Sequence, residues 1–239
     1  MQIVLSDLLF INYAVPPERL RPLVPNSFEL DTKVNQRGEA RAFVSIVAFK
    51  VDEVRSTSMS LPGLSFNQIN CRAYISGDEG PAVYFLDLKV GSRMIASMAS
   101  FIRLPVSYEE IELTVEKESA TPGSRLRISV DVEGKAGLNV VVIKDDEGSP
   151  EQDDNYPAPE PEFITERPAG FIKAAAGTMY RIVVGHDTLR AVQARCVTAR
   201  APILETLGIL NADEALKPES VLYVEEAIFD AESPARWPG

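Results

Sequence analysis

The sequence predicts an α+β protein built mostly of antiparallel β-strands, and three observations carry that expectation. Strand-like runs recur along the chain, separated by turns rich in Gly, Pro and Asp. Helical segments are few and short. No strand–helix–strand alternation is present, which leaves an antiparallel α+β or a closed β architecture. With 239 residues the chain can form one large β-rich domain or two small ones. A single domain over 1–239 is expected, because neither half has enough strands to cover a core.

Gln2 to Val15 alternates loosely and reads as an opening strand or strand pair. Val15-Pro16-Pro17-Glu18 starts a helix that Pro22 and Pro25 hold to about two turns. Phe28 to Asp31 leads through a polar turn ending at Gly38. Ala40 to Val51 is apolar on both faces, so it should be a central strand covered on both sides. A loop with Pro62 and Gly63 precedes a strand at 65–75. The turn Ser76-Gly77-Asp78-Glu79-Gly80-Pro81 then joins it to a hairpin partner, Ala82 to Lys89.

Ser92 is placed to cap a helix running to Phe101, whose small residues suit close packing on the sheet; a strand is the alternative. Glu112 to Glu118 and Arg125 to Glu133 form a hairpin around Thr121-Pro122-Gly123, and Leu138 to Ile143 is a short strand. Residues from Asp145 to Pro161 form an acidic loop. Strands follow at Ala169 to Ala175, Thr178 to Val184 and Val192 to Ala199. A short helix at Pro202 to Leu207 and a closing strand at Val221 to Phe229 complete the chain.

The net charge of −11 disfavours nucleic acid and anionic lipid as partners, and no Lys/Arg cluster breaks the trend. Some of the acidity is concentrated in the 145–161 loop. No apolar window is long enough to span a membrane. Met1-Gln2-Ile3-Val4 lacks the basic lead of a secretory signal, so a cytoplasmic protein with reduced Cys71 and Cys196 is expected.

The stretch from Ser65 to Ile75 carries the candidate site. One face becomes apolar along its length; the other reads Phe66, Gln68, Asn70, Arg72, Tyr74. Side chains on one face of a strand stand roughly 6.6–7 Å apart. Two amides, a guanidinium and a phenol in file resemble the lining of a hollow; the alternatives are a polar outer face or a structural network. Asp87 and Lys89 share a face of the partner strand and are expected in the same polar row. An enclosed Arg72 needs a carboxylate or an anionic ligand. Glu166 is its expected partner, with Asp87 second.

Tests for familiar chemistry fail: there is no G-x-S-x-G elbow, P-loop, dinucleotide fingerprint or H-E-x-x-H, and no cofactor or metal is implied. The single histidine, His186, reads as a turn residue after a strand. In Phe163-Ile164-Thr165-Glu166-Arg167, the last two residues are placed to enter a cavity mouth or to pair with each other or Arg72. A surface helix start is the alternative. Arg41, Arg103 and Lys89 are further cations near strand or helix ends.

Several stretches together resemble the YqjF-like or DUF2071 proteins, a bacterial family of unknown function in the acetoacetate decarboxylase-like superfamily. They are Val15-Pro16-Pro17 to Leu20, Leu23-Val24-Pro25, Ala42 to Phe49, Phe66 to Tyr74, Tyr84-Phe85-Leu86, Arg103-Leu104-Pro105 and Phe163 to Arg167. The Asn-x-Arg-x-Tyr strand and the Phe-x-Thr-Glu-Arg segment are the specific ones. The resemblance implies a closed, cone-like antiparallel β-barrel with a central cavity and small flanking helices, and it implies self-association. It also implies Schiff-base chemistry by a lysine of lowered pKa. The comparable segment here, Arg103-Leu104-Pro105-Val106-Ser107, holds no lysine, which argues against decarboxylation by that route. Lys89 is the alternative lysine. Gln68 stands where the family pattern has a glutamate, which bears against an acid–base role there.

Two functions follow as expectations. One is a cavity that binds a small organic acid or carbonyl metabolite without catalysis. It would be lined by Gln68, Asn70, Arg72 and Tyr74, with Lys89 and Arg103 as further ligand-binding residues. The other is a lyase- or hydrolase-type enzyme acting on a small keto acid, with Glu166 as general acid or base.

Overall fold

Alternation at a period of two decides which side chains each strand sends to either side of a sheet, and here one sheet bends round until its strands pair in a ring. The computed structural model describes every residue except 36, 56–59, 62–63, 78–79, 119–124, 133–137, 145–158, 175–176 and 239. The expected acidic loop, the Thr121-Pro122-Gly123 turn, Pro62-Gly63 and Asp78-Glu79 lie wholly or largely outside the described residues.

The chain opens with β1 (Gln2–Val15), α1 (Pro17–Leu20) and the short strands β2 (Glu29–Leu30) and β3 (Thr32–Val34). Next come β4 (Ala40–Arg55), β5 (Ser60–Leu61), β6 (Phe66–Gly77), β7 (Gly80–Val90), α2 (Arg93–Phe101) and β8 (Val106–Tyr108). A second sheet begins with β9 (Ile111–Glu118), β10 (Arg125–Val132) and β11 (Leu138–Lys144). Helix α3 (Pro161–Thr165) returns the chain to the first sheet through β12 (Ala169–Lys173) and β13 (Met179–Gly185). The last elements are β14 (Val192–Gln193), β15 (Arg195–Arg200), α4 (Pro202–Thr206), α5 (Ala212–Ala215), β16 (Ser220–Ala231) and β17 (Ala235–Arg236).

In the first sheet β16, β1, β4, β6, β7, β12 and β13 pair in succession, and β13 pairs back to β16. Every junction is antiparallel except β7–β12, which is parallel. The second sheet, in the order β15-β11-β10-β9, is antiparallel throughout.

Two apolar clusters follow from this arrangement. Ile11, Ile46, Ile69 and Ala73 on one face of the ring share a cluster with Ile128, Val130 and Val140 of the second sheet and with Ile203 and Leu204 of α4. On the other face Leu8, Phe10, Phe43, Val47, Val83 and Leu222 cluster around Ile164 of α3. Strand β4 is therefore apolar on both sides because both sides are covered.

Local expectations fail where tertiary contacts intervene. The opening segment is one strand, irregular near Asp7, which sits at a positive φ of 53°. Ser92 does cap α2, its hydroxyl accepting from the Ile95 amide. That helix is not packed closely on the sheet, however. Ala99 is its only buried residue, while Met94, Met98 and Phe101 are exposed. Its small residues mark a narrow stripe of contact rather than a buried helix. The passage through Phe28–Gly38 holds β2 and β3 rather than a plain turn. No helix is long and apolar enough to cross a membrane among the described residues.

Candidate functional site

A cavity of about 70 Å³ lies on the α3-covered face of the ring. Its walls come from around the circuit: Phe10 of β1, Arg72 of β6, Phe85 of β7, Gly170 of β12, Val184 of β13 and Phe229 of β16. Side chains from strands on all sides of a ring can meet only on its inner face. The alternating set Gln68, Asn70, Arg72, Tyr74 therefore faces inward with Arg72.

The Arg72 guanidinium donates from Nη2 to the Ile164 carbonyl at 2.9 Å and to the Tyr74 hydroxyl at 3.2 Å. It lies 5.3 Å from the Phe10 ring centre. Its Nε–H is buried and meets no acceptor among the described residues. Tyr74, fully buried, continues the polar contacts to Ser45 at 2.7 Å. Ser45 donates to the Asn12 Oδ1, and the Asn12 amide donates to Ser220 at 3.0 Å. A file of polar side chains thus crosses β6, β4, β1 and β16 within an apolar interior.

The second cation at the cavity is Arg167, just beyond α3. Its Nη1 meets Asp31 at 2.6 Å, its Nε donates to the Phe163 carbonyl at 2.8 Å, and it stacks 4.3 Å from the Phe163 ring centre. Asp31 therefore matches its charge. Thr165 and His186 also line the cavity. His186 Nδ1 stands 2.8 Å from the Asp187 carbonyl oxygen, which can only accept, so the proton is on Nδ1. As expected, His186 follows a strand end; the cavity contact had no sequence signal.

Other expected site residues lie elsewhere. Arg72 contacts neither Glu166 nor Asp87 among its described partners; the half-buried Glu166 carboxylate lies 3.3 Å from Thr165 Oγ1, whose single proton has a nearer acceptor in the Pro161 carbonyl at 3.0 Å. The tight exit from α3 turns Arg167, not Glu166, into the ring. Asp87 and Lys89 do not join the polar row. Cys71 pairs with Asp87 and Arg72 with Phe85, so Leu86 is an extra residue in β7. That bulge reverses the alternation beyond Phe85 and sends Asp87 and Lys89 to the outer face. Lys89 is buried there, 3.4 Å from Asp87 and 3.3 Å from Glu109. Gln68 donates to Asn70 at 2.8 Å, and neither lines the cavity. Arg103 sits in the exposed turn after α2 at a φ of 62°. Among the described residues no group of His, Cys, Asp and Glu could hold a metal.

The family model of DUF2071, described as an uncharacterised conserved protein, matches residues 2–227. The chain belongs to the DUF2071 family. YqjF of Bacillus subtilis (strain 168), described as uncharacterised, is 30% identical over 110 residues, covering 45% of this chain and 43% of that protein. The matched part thus spans under half the length of this curated relative. Among solved structures, acetoacetate decarboxylase from Legionella pneumophila aligns with a TM-score of 0.60 at 13% identity, covering 100% of this chain and 88% of that one. The enduracididine biosynthesis enzyme MppR, complexed with pyruvate, aligns at 0.58 and 11% identity, covering 98% and 89%. An acetoacetate decarboxylase-like enzyme from Sphingomonas wittichii RW1 aligns at 0.57 and 10% identity, covering 99% and 92%. At these identities the likeness is one of fold.

Proposed function

We propose that the ring is the closed, cone-like barrel of the acetoacetate decarboxylase-like superfamily, and that its interior binds a small organic acid or carbonyl compound through Arg72 without a Schiff-base step. The observation that carries this reading is the Arg72 guanidinium. It lines a cavity, has a carbonyl and a phenol as partners rather than a carboxylate, and keeps a buried N–H without an acceptor among the described residues. A cation in that setting favours an anionic ligand, because charge withdrawn from water is costly unless matched. A carboxylate would accept from Nε–H and gain a charge-assisted hydrogen bond.

The tyrosine file holds the guanidinium in place, and the Asp31–Arg167 pair forms a neutral wall beside it. No lysine lines the cavity among the described residues, and Lys89 is on the other face between two carboxylates. Glu166 has no part in this proposal, because its carboxylate turns to Thr165.

Thermal unfolding with sodium pyruvate or sodium propanoate tests the reading. Ligand at about a hundred times its Kd stabilises by about 2.7 kcal/mol, so a rise of several degrees in Tm is expected for wild type. Arg72→Gln, folded by circular dichroism, should lose that rise. An equal rise in Arg72→Gln would overturn the clamp. A borohydride-trapped pyruvate adduct on Lys89, seen by intact mass, would overturn the absence of Schiff-base chemistry.

A further inference from the structure

We infer that Phe85 resting on Gly170 sets the length of acid that the ring interior accepts, restricting it to short monocarboxylates; this rests on the reading of Arg72 as an acid clamp. The polar side chains of the cavity lining are Arg72, Thr165, Arg167 and His186, the last with its ring centre 4.7 Å from that of Phe229; the rest of the wall is aromatic and aliphatic. With Arg167 matched by Asp31, the cavity offers one guanidinium without a carboxylate among the described residues. A monoanion balances it. A second carboxylate would bring a charge into the cavity with no second unmatched guanidinium among the described residues to balance it.

Size narrows the class further. A cavity needs roughly 10–15 Å³ of this volume for each water, so about 70 Å³ takes about five to seven water-sized groups. That matches acids of about three to five carbons.

The wall at Phe85 depends on a missing side chain. A Cβ on Gly170 would stand 2.5 Å from Phe85 Cε2 and 3.0 Å from Cζ, closer than packed carbon atoms approach. Only glycine lets the ring lie on the β12 backbone. Glycine inside a strand is otherwise unfavourable and commonly marks such a close approach. Phe85 is the cross-strand neighbour of Arg72. A methyl on Gly170 would push the ring off β12 and so alter the cavity that both residues line. Removing the ring deepens the same space.

Isothermal titration with acetate, propanoate, butanoate, pentanoate, hexanoate and octanoate, and with succinate as the dianion, provides the test. Wild type should bind best near butanoate and lose at least tenfold by octanoate, with succinate at least tenfold weaker than butanoate. Phe85→Ala should bind octanoate at least tenfold more tightly than wild type does. Phe85→Leu serves the same purpose where the alanine variant is unstable. Gly170→Ala should lose at least tenfold on butanoate and less on acetate. If acids bind through Arg72 but the length profiles of all variants coincide with wild type, the length-setting role falls alone. If no acid binds wild type, or Arg72→Gln binds as well as wild type, the acid-binding reading itself falls.

Discussion

The direction of each hydrogen bond around Tyr74 follows from counting protons. Ser45 has one hydroxyl proton and gives it to Asn12, so Tyr74 must donate to Ser45, leaving its oxygen free to accept from Arg72. The file therefore runs one way, from guanidinium to amide, and holds the phenol in a single orientation. Tyr74→Phe leaves the Ser45 oxygen and Arg72 Nη2 short of a partner. It should cost about 1–3 kcal/mol in urea denaturation; a change near zero would show that the file is not a unit. In sequence, Asn12 and Ser45 are single polar interruptions of apolar strands, and only the Asn12↔Ser45 pairing makes them neighbours. The cysteines are a second test. Burial pushes the Cys196 thiol up to about 11 and raises Cys71 further. Neither is a thiolate near neutrality, so a maleimide at pH 7 should label the native protein much more slowly than the urea-unfolded one.

One extra residue in β7 changes what that strand does. The pattern Asp87-x-Lys89 is plainly visible in sequence, yet its side is not, because a bulge leaves no period-two signature of its own. Helix α5 shows the opposite case. Asn211-x-x-Glu214 is a legible capping box in the sequence, and the structure closes both of its hydrogen bonds. Glu214 also pairs with Arg19 of α1 at 2.7 Å. Its carboxyl is held below the ordinary glutamate value by the Arg19 hydrogen bond first and the Asn211 amide second. A depressed folded pKa adds stability above the unfolded value and loses it as pH falls through the folded one. Glu214→Gln should therefore lower stability at pH 7 by about 0.5 kcal/mol, a figure kept small because the pair is partly exposed. The difference from wild type should vanish near pH 2. A deficit that persists in acid would point to lost packing instead.

The ring and the second sheet share one apolar cluster, so neither buries its face without the other. Unfolding in urea should be a single transition by both fluorescence and circular dichroism; two separated transitions would divide the molecule into independent units. Ile128, fully buried in the second sheet and part of that cluster, should cost about 2–5 kcal/mol on Ile128→Ala and move the whole transition. The antiparallel character, the central position of β4 and the polar file on β6 were all readable from local patterning. Period-two alternation and turn residues act over a few neighbours, and they survive in the chain as written. The polar face of β6 is expected to line a hollow, with an outer face as the alternative. That Asp87 and Lys89 turn away from it, and that Arg167 rather than Glu166 enters the cavity, was not readable. Those outcomes depend on β13 meeting β16, on the register of β7 and on the exit from α3. Each is settled by contacts between residues far apart along the chain, where no short-range pattern records them.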